Sequence, residues 1–320
     1  MFRYLTAKND KSGSWAHLPI FDSAFRFITL AAALSILILL VMMLAVLIYN
    51  AWPSIQRFGL KFLISTTWNP VTSEFGALTT IIGTLVSTAL AMLLAVPVAL
   101  GVAIFLTELS PLALRPIFGV AIELLAAIPS IIYGMWGLFV LAPFMSDYIQ
   151  PFLGRYLGFL PLFQGPPMGI GMFTAGVVLA IMILPFMASI IRDVFLMTPR
   201  VIKESAYGLG ATMWEVVRQI VLPYGMRGVI GGLLLGLGRA IGETMAVTFV
   251  IGNAHELSLS LFAPGNTIAS TLANEFTEAS DRIYLSALIE LGLVLFLITF
   301  VVLGLAEWWL KKNTSGGYKA

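Results

Sequence analysis

Apolar residues in this sequence come in long runs instead of alternating with polar ones. The hydrocarbon core of a bilayer is about 30 Å thick, so a helix needs about 20 mostly apolar residues to cross it. The runs lack the period-two alternation of a membrane β-barrel, which excludes that architecture. The pattern therefore predicts an all-α integral membrane protein with six membrane-spanning helices, at residues 27–49, 79–106, 117–143, 169–196, 228–252 and 284–306.

The composition agrees with a membrane protein and excludes several other classes. Hydrophobic residues make up 59% of the 320 residues and charged residues only 11%, whereas a soluble domain carries about 25% charged residues. Soluble enzymes, nucleic-acid binders and disordered scaffolds are thereby excluded. The sequence has no cysteine, which rules out disulfides and thiolate metal sites. Its two histidines, His17 and His255, are far apart, so a histidine metal site is not expected.

The distribution of Lys and Arg predicts which side of the membrane each loop faces. With six helices, both termini lie on one side, together with the loops after the second and fourth helices. Most cations fall on that side: Arg3, Lys8, Lys11, Arg26, Arg115, Arg192, Arg200, Lys203, Arg218, Arg227, Lys311, Lys312 and Lys319. The other side holds Arg57, Lys61, Arg155 and Arg282. The positive-inside rule therefore predicts cytoplasmic tails at 1–26 and 307–320 around a membrane domain at 27–306.

Residues 199–223 are too polar to cross a membrane, yet their apolar residues recur at helical spacing. Small residues between Glu204 and Gly210 predict a turn between two short amphipathic helices. Pro223 is expected to stop the second helix before the next span, because proline lacks a backbone N–H. The second helix is predicted to expose an apolar ridge that a partner protein must cover, formed by Trp214, Val217, Ile220 and Val221.

The same segment resembles the EAA loop of ABC-importer permeases. The resemblance is carried by Glu204-Ser205-Ala206, Gly210 and Ile220-x-Leu222-Pro223, with a serine where the family has its first alanine. It implies the type I ABC-importer permease architecture and a coupling loop that docks on a cytoplasmic ABC ATPase dimer. The sequence has no Gly-Lys pair and therefore no Walker A loop. The chain is accordingly expected to be a transporter subunit and not an enzyme, with ATP hydrolysed by a separate subunit.

Two further segments resemble the phosphate-specific branch of this family, and more narrowly its PstC-type permeases. They are residues 121–136, with Pro129-Ser130 and Tyr133-Gly134-Met135-Trp136, and residues 236–245, which read Gly-Leu-Gly-Arg-Ala-Ile-Gly-Glu-Thr-Met. The resemblance implies import of inorganic phosphate across a bacterial inner membrane, with a PstA-type sister permease and an external phosphate-binding protein. The chain is also expected to contact membrane lipid. No cofactor, metal ion or nucleic acid is expected to bind it.

Two other functions remain open on the sequence. One is a permease for another oxyanion, such as sulfate or molybdate, because such permeases use the same EAA loop. The other is an additional role in signalling, in which the protein relays the state of the transporter to a sensor kinase. Phosphate import is the main hypothesis.

Arg239 falls about eleven residues, or about 16 Å, into the fifth predicted stretch, near the middle of the bilayer. An arginine there costs at least ~2.5–3.5 kcal/mol unless it faces protein, water or a counter-charge. Glu243, four residues later, is predicted on the same helical face. It either pairs with Arg239 to hold helices together or lets the guanidinium bind a passing oxyanion. The PstC-type resemblance places important charges on this pair, and Thr244 is predicted to add a hydroxyl to the substrate pathway.

Other acidic residues carry weaker predictions. Glu123 in the third predicted stretch is expected either to bond a neighbouring helix or to serve the pathway, and Glu290 lies near the external end of the sixth. The acidic loop 253–283 is either a solvated loop or a docking surface for an external partner. Gly228, Gly232 and Gly236 are spaced by four, which predicts close packing of the fifth helix.

Overall fold

A computed structural model describes the backbone of residues 19–314, and the side chains of residues 24–308 and Lys312. Six helical segments in this part are long and apolar enough to cross a membrane, which confirms the predicted number. We number them spans 1 to 6: Ala24–Phe58, Leu78–Leu109, Ser130–Leu157, Met172–Leu196, Met213–Ile241 and Arg282–Trp308. No strand occurs among the described residues. Several predicted tail residues lie outside them, namely Arg3, Lys8, Lys11, His17 and Lys319.

The spans combine α-helices with short π-helical turns, and shorter helices lie between them. The α-helices are Pro19–Phe58, Lys61–Ile64, Leu78–Ile104, Arg115–Ala126, Ser130–Trp136, Ala142–Phe144, Gln150–Leu157, Met172–Leu196, Arg200–Gly208, Met213–Val216, Leu222–Ile241, Met245–Thr248, Ile268–Glu275 and Arg282–Thr314. The π-helical turns are Phe105–Leu109, Gly137–Leu141, Met145–Ile149 and Val217–Val221, and Pro161–Phe163 forms a 3-10 turn.

The chain divides into two units, residues 1–49 and 50–320. In the first unit, residues 24–49 are helical, and their large apolar side chains are exposed around the helix, as at Ile36 and Tyr49. A helix that is apolar on all sides is typical of a membrane span. The second unit contains the apolar core and all the sites described below.

Span 4 is the central helix of the second unit, and span 2 packs closely along it. Four alanines spaced by four residues are fully buried on span 2: Ala91, Ala95, Ala99 and Ala103. On span 4, Val178, Ile183 and Met187 are fully buried in the same core. Small residues at this spacing let two helix backbones approach each other closely. Spans 2 and 4 therefore form one tightly packed pair.

The structure corrects the predicted third span. The stretch 117–143 is divided between a short helix, Arg115–Ala126, and span 3, which begins at Ser130 and continues to Leu157. The division falls at Pro129, which has φ −58° and ψ 138° and precedes the first residue of span 3. Proline lacks the N–H that a continuous helix requires and disfavours helical geometry in the residue before it.

The fifth predicted span is displaced as well. The predicted stretch 228–252 is replaced by a helical run from Met213 to Ile241. Pro223 does not end a helix, because it lies in the first turn of the helix Leu222–Ile241, directly after the π-helical turn Val217–Val221. A local π-helical adjustment is one way in which a membrane helix accommodates proline. The second half of residues 199–223 is therefore the beginning of span 5.

The close packing of spans 2 and 4 generates a stability prediction. Replacing buried Ala95 by leucine should lower the free energy of unfolding by about 1–3 kcal/mol, because added methyl groups force apart a well-packed interface. The thermal unfolding midpoint of the purified chain in detergent measures this change. Ala89→Leu, on the exposed face of the same helix, is the matched control and should leave the midpoint unchanged. Equal midpoints for the two variants would contradict the packing account.

Candidate functional site

Span 5 breaks at Gly242, in the middle of the protein. The helix ends at Ile241, a short helix follows at Met245–Thr248, and residues 249–267 are not helical. Span 5 runs antiparallel to span 4, so the residues of span 4 that it contacts indicate how deep the break lies in the bundle. Gly228 faces Val194 near one end of span 4, whereas Gly236 faces Met187 near its middle. The break therefore lies close to the mid-depth of the helix bundle.

Arg239 lies in the last turn of span 5, beside this break. Its guanidinium carbon is 5.3 Å from the centre of the Phe186 ring on span 4, a distance at which a cation and an aromatic face attract each other. The predicted position at mid-depth thus agrees with the contact that Arg239 makes. Its side chain is half-buried. Among the described residues, no carboxylate lies within ion-pairing distance of its guanidinium.

The predicted pairing of Arg239 with Glu243 was wrong. The prediction assumed an unbroken helix, in which residues four apart share a face. Because the helix ends at Ile241, Glu243 points elsewhere, and its Oε1 accepts a hydrogen bond of 3.1 Å from the backbone N–H of Ala246. Only 9% of Glu243 is exposed. The side chain of Glu243 thus pairs with a backbone N–H in the first turn of the short helix Met245–Thr248.

Threonine hydroxyls pair the backbone carbonyls of the break. Thr244 Oγ1 donates to the carbonyl of Gly242 at 3.3 Å, and Thr248 Oγ1 donates to that of Thr244 at 2.7 Å. The amide of Asn253 donates to the carbonyl of Thr248 at 3.2 Å. The hydroxyl of Thr244, which was predicted to contribute to the substrate pathway, thus pairs with a backbone carbonyl in the structure. These bonds satisfy polar groups that a broken helix would otherwise leave unpaired.

The two segments that resemble PstC-type permeases meet at this break. Gly134 of span 3 packs directly against the short helix that follows span 5. A Cβ atom at Gly134 would lie 3.0 Å from Cα of Ala246 and 2.9 Å from the ring of Phe249. Only glycine allows this approach without a shift of one of the backbones. The close contact could not be predicted, because the two segments are distant in sequence.

Glu123 contacts a neighbouring helix, one of its two predicted roles. Its Oε1 is 2.6 Å from Nη2 of Arg192, and the same nitrogen is 2.8 Å from Oδ1 of Asp193. Arg192 was predicted as a loop cation, but it lies inside span 4. The ion pair attaches the short helix Arg115–Ala126 to span 4. Among the described residues, no three His, Cys, Asp or Glu side chains are grouped so that they could hold a metal ion.

Residues 199–223, the EAA loop, lie at one end of the bundle, which we call the EAA end. The helix Arg200–Gly208 turns at Gly210, whose φ of 87° favours glycine. Glu204, Ser205 and Gly210 are exposed, as is Pro223. The remaining motif residues are half-buried and pack against the core, namely Ala206, Ile220 and Leu222.

The predicted apolar ridge of the EAA loop is corrected in part. Val217 and Val221 were predicted to be exposed, but they are 2% and 0% exposed because this stretch is the first part of span 5. Trp214 is 63% exposed, as predicted, and Val201 and Leu209 add exposed apolar side chains at 72% and 90%. Thr212 caps the second helix, since its hydroxyl accepts from the N–H of Glu215. The loop thus presents an apolar surface of different composition from the predicted one.

Glu275 is the centre of a polar cluster at the opposite end of the bundle. Its Oε2 accepts hydrogen bonds from Trp68 Nε1 at 2.7 Å and from the Tyr284 hydroxyl at 2.6 Å. Its Oε1 is 2.8 Å from Nε2 of His255, whose ring stacks on Trp68 with the ring centres 5.3 Å apart. Glu275 belongs to the loop 253–283, for which a solvated surface was one of the two predictions. Its side chain instead forms these contacts inside the protein.

The pKa of Glu275 reflects this surrounding. Burial alone would raise it, but the hydrogen bonds from His255, Tyr284 and Trp68 stabilise the carboxylate more, and the pKa falls below its ordinary value. The other acids of the loop, including Glu256 and Glu278, are exposed. Glu275 therefore ties residues 253–281 to the segment that contains Trp68.

Comparisons with known proteins identify the type of protein that shares these features. Residues 95–313 match the model of a family described as the binding-protein-dependent transport system inner membrane component. The phosphate transport system permease protein PstC of Mesorhizobium japonicum is 52% identical over 309 residues, which cover 95% of this chain and 94% of the relative. The protein of the same name from Pasteurella multocida is 55% identical over 292 residues, covering 90% and 91%.

A solved structure supports the fold independently. The crystal structure of a bacterial alginate ABC transporter, in complex with an alginate pentasaccharide-bound periplasmic protein, contains a chain that superposes with a TM-score of 0.62. The superposition covers 92% of this chain and 97% of that one, at 15% sequence identity. At this sequence identity, the similarity to the alginate transporter chain shows a shared fold and nothing about substrate.

The Glu275 cluster generates a prediction on acid stability. Because the folded pKa of Glu275 is lowered, its contribution is present above the ordinary glutamate value of about 4.3 and is lost as the pH falls through the lower folded value. The thermal midpoint of the purified protein should therefore drop in this acidic window, and it should drop less in Glu275→Gln. Glu278→Gln, at an exposed acid in the same loop, should keep the wild-type profile. Parallel profiles for Glu275→Gln and the wild type would contradict the prediction.

Proposed function

The chain belongs to the family of binding-protein-dependent transport system inner membrane components and is of the PstC type, and from this premise we propose that it carries inorganic phosphate through an ATP-driven importer. In this function the chain is a membrane-spanning permease subunit and does not hydrolyse ATP itself. The observation that carries the proposal is the position of Arg239 beside the mid-depth break of span 5, where the two PstC-like segments meet. Among the residues whose side chains are described, no carboxylate pairs with it. The identity of 52–55% to PstC permeases supports phosphate as the substrate.

Arg239 supplies the chemistry that a phosphate pathway needs. A guanidinium presents a planar fork of N–H donors that matches the oxygens of phosphate, and it keeps its charge at any physiological pH. The Phe186 ring at 5.3 Å holds the group in place without neutralising it. A broken helix at mid-depth, beside a binding group, is a recurrent arrangement in membrane transporters. Arg239 is therefore proposed to be the anion-binding group of the pathway.

Glu243 and Thr244 are proposed to complete the pathway in different ways. Glu243 is a positioning residue, because its carboxylate holds the short helix beyond the break and its charge is directed at backbone N–H groups. This arrangement reduces the repulsion that a carboxylate would exert on a passing anion. Thr244 lies half-buried between Glu243 and the short helix, and its hydroxyl is able to turn from the Gly242 carbonyl to a phosphate oxygen.

We propose that the EAA end faces the cytoplasm of the cell and that the protein lies in the inner membrane. Among residues 50–308, the cations outside the spans are Arg115, Arg200 and Lys203 on the side of the EAA loop and Lys61 on the other side, and the positive-inside rule favours the more basic side as cytoplasmic. On this orientation both termini are cytoplasmic. Exposed Glu204, Ser205 and Gly210 would then contact the ABC ATPase dimer, together with the apolar side chains around them.

The opposite end is proposed to face an external phosphate-binding protein. The family name itself refers to transport that depends on a binding protein. A single bundle with a half-buried arginine offers one side of a pathway, and a PstA-type sister permease is proposed to supply the other side. The complete importer would thus contain this chain, the sister permease, two ATPase subunits and the binding protein.

Uptake of radiolabelled phosphate tests the proposed function. In cells whose one phosphate importer contains this chain, wild type should take up phosphate in the presence of excess sulfate. Arg239→Gln should lower uptake at least about ten-fold at equal membrane abundance, since a lost charge-assisted hydrogen bond costs ~1.5–3 kcal/mol. Arg239→Lys, which keeps the charge and loses the fork, should fall between them. Full uptake by Arg239→Gln would contradict the role of this arginine, and uptake that sulfate abolishes would favour another oxyanion.

The EAA loop carries a second prediction. Glu204→Lys reverses an exposed charge on the surface that is proposed to dock on the ATPase, and it should abolish most phosphate uptake while the chain still inserts into the membrane. ATP hydrolysis by the assembled complex should no longer rise with loaded binding protein. Glu204→Asp keeps the charge and is the control. Normal uptake by Glu204→Lys would show that this residue is not part of the coupling surface.

A further inference from the structure

Span 2 makes polar contacts at both of its ends, and the proposed function assigns these ends to opposite faces of the membrane. At the EAA end it contacts the helix Arg200–Gly208, and at the opposite end it contacts the segment before the helix Ile268–Glu275. Span 5 also leaves the EAA loop, but its helix ends at the mid-depth break. Span 2 is therefore a continuous helical connection between the two ends that does not pass through the break.

A buried ion pair joins span 2 to the EAA loop. Nζ of Lys203 lies 2.5 Å from Oε1 of Glu108, and the two side chains are 17% and 7% exposed. Such a pair is held firmly, since separating it would leave a buried charge without a partner. Glu108 belongs to the π-helical last turn of span 2. Its backbone carbonyl accepts a hydrogen bond from Nη2 of Arg115 at 3.3 Å, while Nε of Arg115 donates to Ser110 at 2.9 Å.

A backbone hydrogen bond and a close contact join the other end of span 2 to the opposite face. The hydroxyl oxygen of Thr84 accepts from the N–H of Ile268 at 3.0 Å, and this hydroxyl donates to the carbonyl of Thr80 at 2.7 Å. At Gly83 the carbonyl of Asn266 approaches so closely that any Cβ would overlap it. The helix Ile268–Glu275, which begins at this contact, ends at Glu275, the centre of the cluster with Trp68 and His255.

The helix between these contacts is continuous, with Pro97 inside it, and it packs on span 4 over much of its length. The alanine stripe from Ala91 to Ala103 packs on the fully buried face of span 4, so the two spans shift together. Interiors packed in this way transmit displacement with little compression. A movement of the EAA loop would therefore reach residues 266–275 through about 25 residues of helix, or about 38 Å.

We propose that span 2 is a strut that couples the ATPase-docking loop to the face that receives the binding protein. Lys203 and Glu108 are positioning residues at one end of the strut, and Thr84 is the positioning residue at the other. This inference rests on the proposed function, which assigns the two ends to the two partners. It adds a route for the signal by which a loaded binding protein outside accelerates ATP hydrolysis inside.

The test uses the complete importer reconstituted in lipid nanodiscs, with ATP hydrolysis measured in the presence and absence of phosphate-loaded binding protein. Lys203→Glu and Glu108→Lys should each lower the stimulation by about five-fold or more while hydrolysis without binding protein is retained. The double variant Lys203→Glu/Glu108→Lys restores an ion pair of opposite polarity and should recover most of the stimulation. Leu93→Ala changes an exposed side chain of span 2 between the two contacts and should behave like wild type.

Thr84 tests the other end with a change that keeps the helix intact. Thr84→Val removes the acceptor for the Ile268 N–H and should lower stimulation, whereas Thr84→Ser keeps the hydroxyl and should retain it. Full stimulation in the single-charge variants would overturn the strut, and so would an equal loss of basal and stimulated hydrolysis that the double variant does not repair. If loaded binding protein failed to stimulate the wild-type complex, the proposed function itself would be contradicted.

Discussion

A helix that ends inside an apolar layer must have its backbone polar groups paired by protein, and the break at Gly242 imposes this requirement on the structure. The carboxylate of Glu243 pairs with the N–H of Ala246, and threonine hydroxyls pair with the carbonyls of Gly242 and Thr244. Gly134 lets span 3 approach the short helix and exclude other groups from it. The site is thus built around the satisfaction of backbone groups, and the charge of Arg239 is placed beside them.

The same break separates two functions that a transporter needs. Because Glu243 bonds the backbone N–H of Ala246, the proposed function leaves Arg239 for an anion, with the Phe186 ring as its neighbour. Span 5 cannot transmit movement through the break as a rigid helix, whereas span 2 continues past that depth and is fixed at both ends. On the two proposals, a substrate site at the break and a coupling element in span 2 are built from neighbouring helices.

The sequence predicted features that depend on local pattern and missed those that depend on distant contacts. Six apolar runs and the EAA motif are local, and both the number of spans and the family followed from them. The break at Gly242 was missed because residues 245–252 are as apolar as a helix would be, and their course is set by contacts such as that with Gly134. The partners of Arg192 and Lys203 were missed too, since they lie 69 and 95 residues away in sequence.

The most direct test of the anion pathway is chemical protection at the break. The sequence has no cysteine, so Thr244→Cys would provide the single thiol of this chain, at the break of span 5, in the assembled importer. A negatively charged methanethiosulfonate reagent should label this thiol, and phosphate should slow the labelling while sulfate does not. A cysteine at Leu93, on the exposed face of span 2, should show no protection. Labelling of Thr244→Cys at a rate that phosphate does not change would contradict a phosphate pathway at this break.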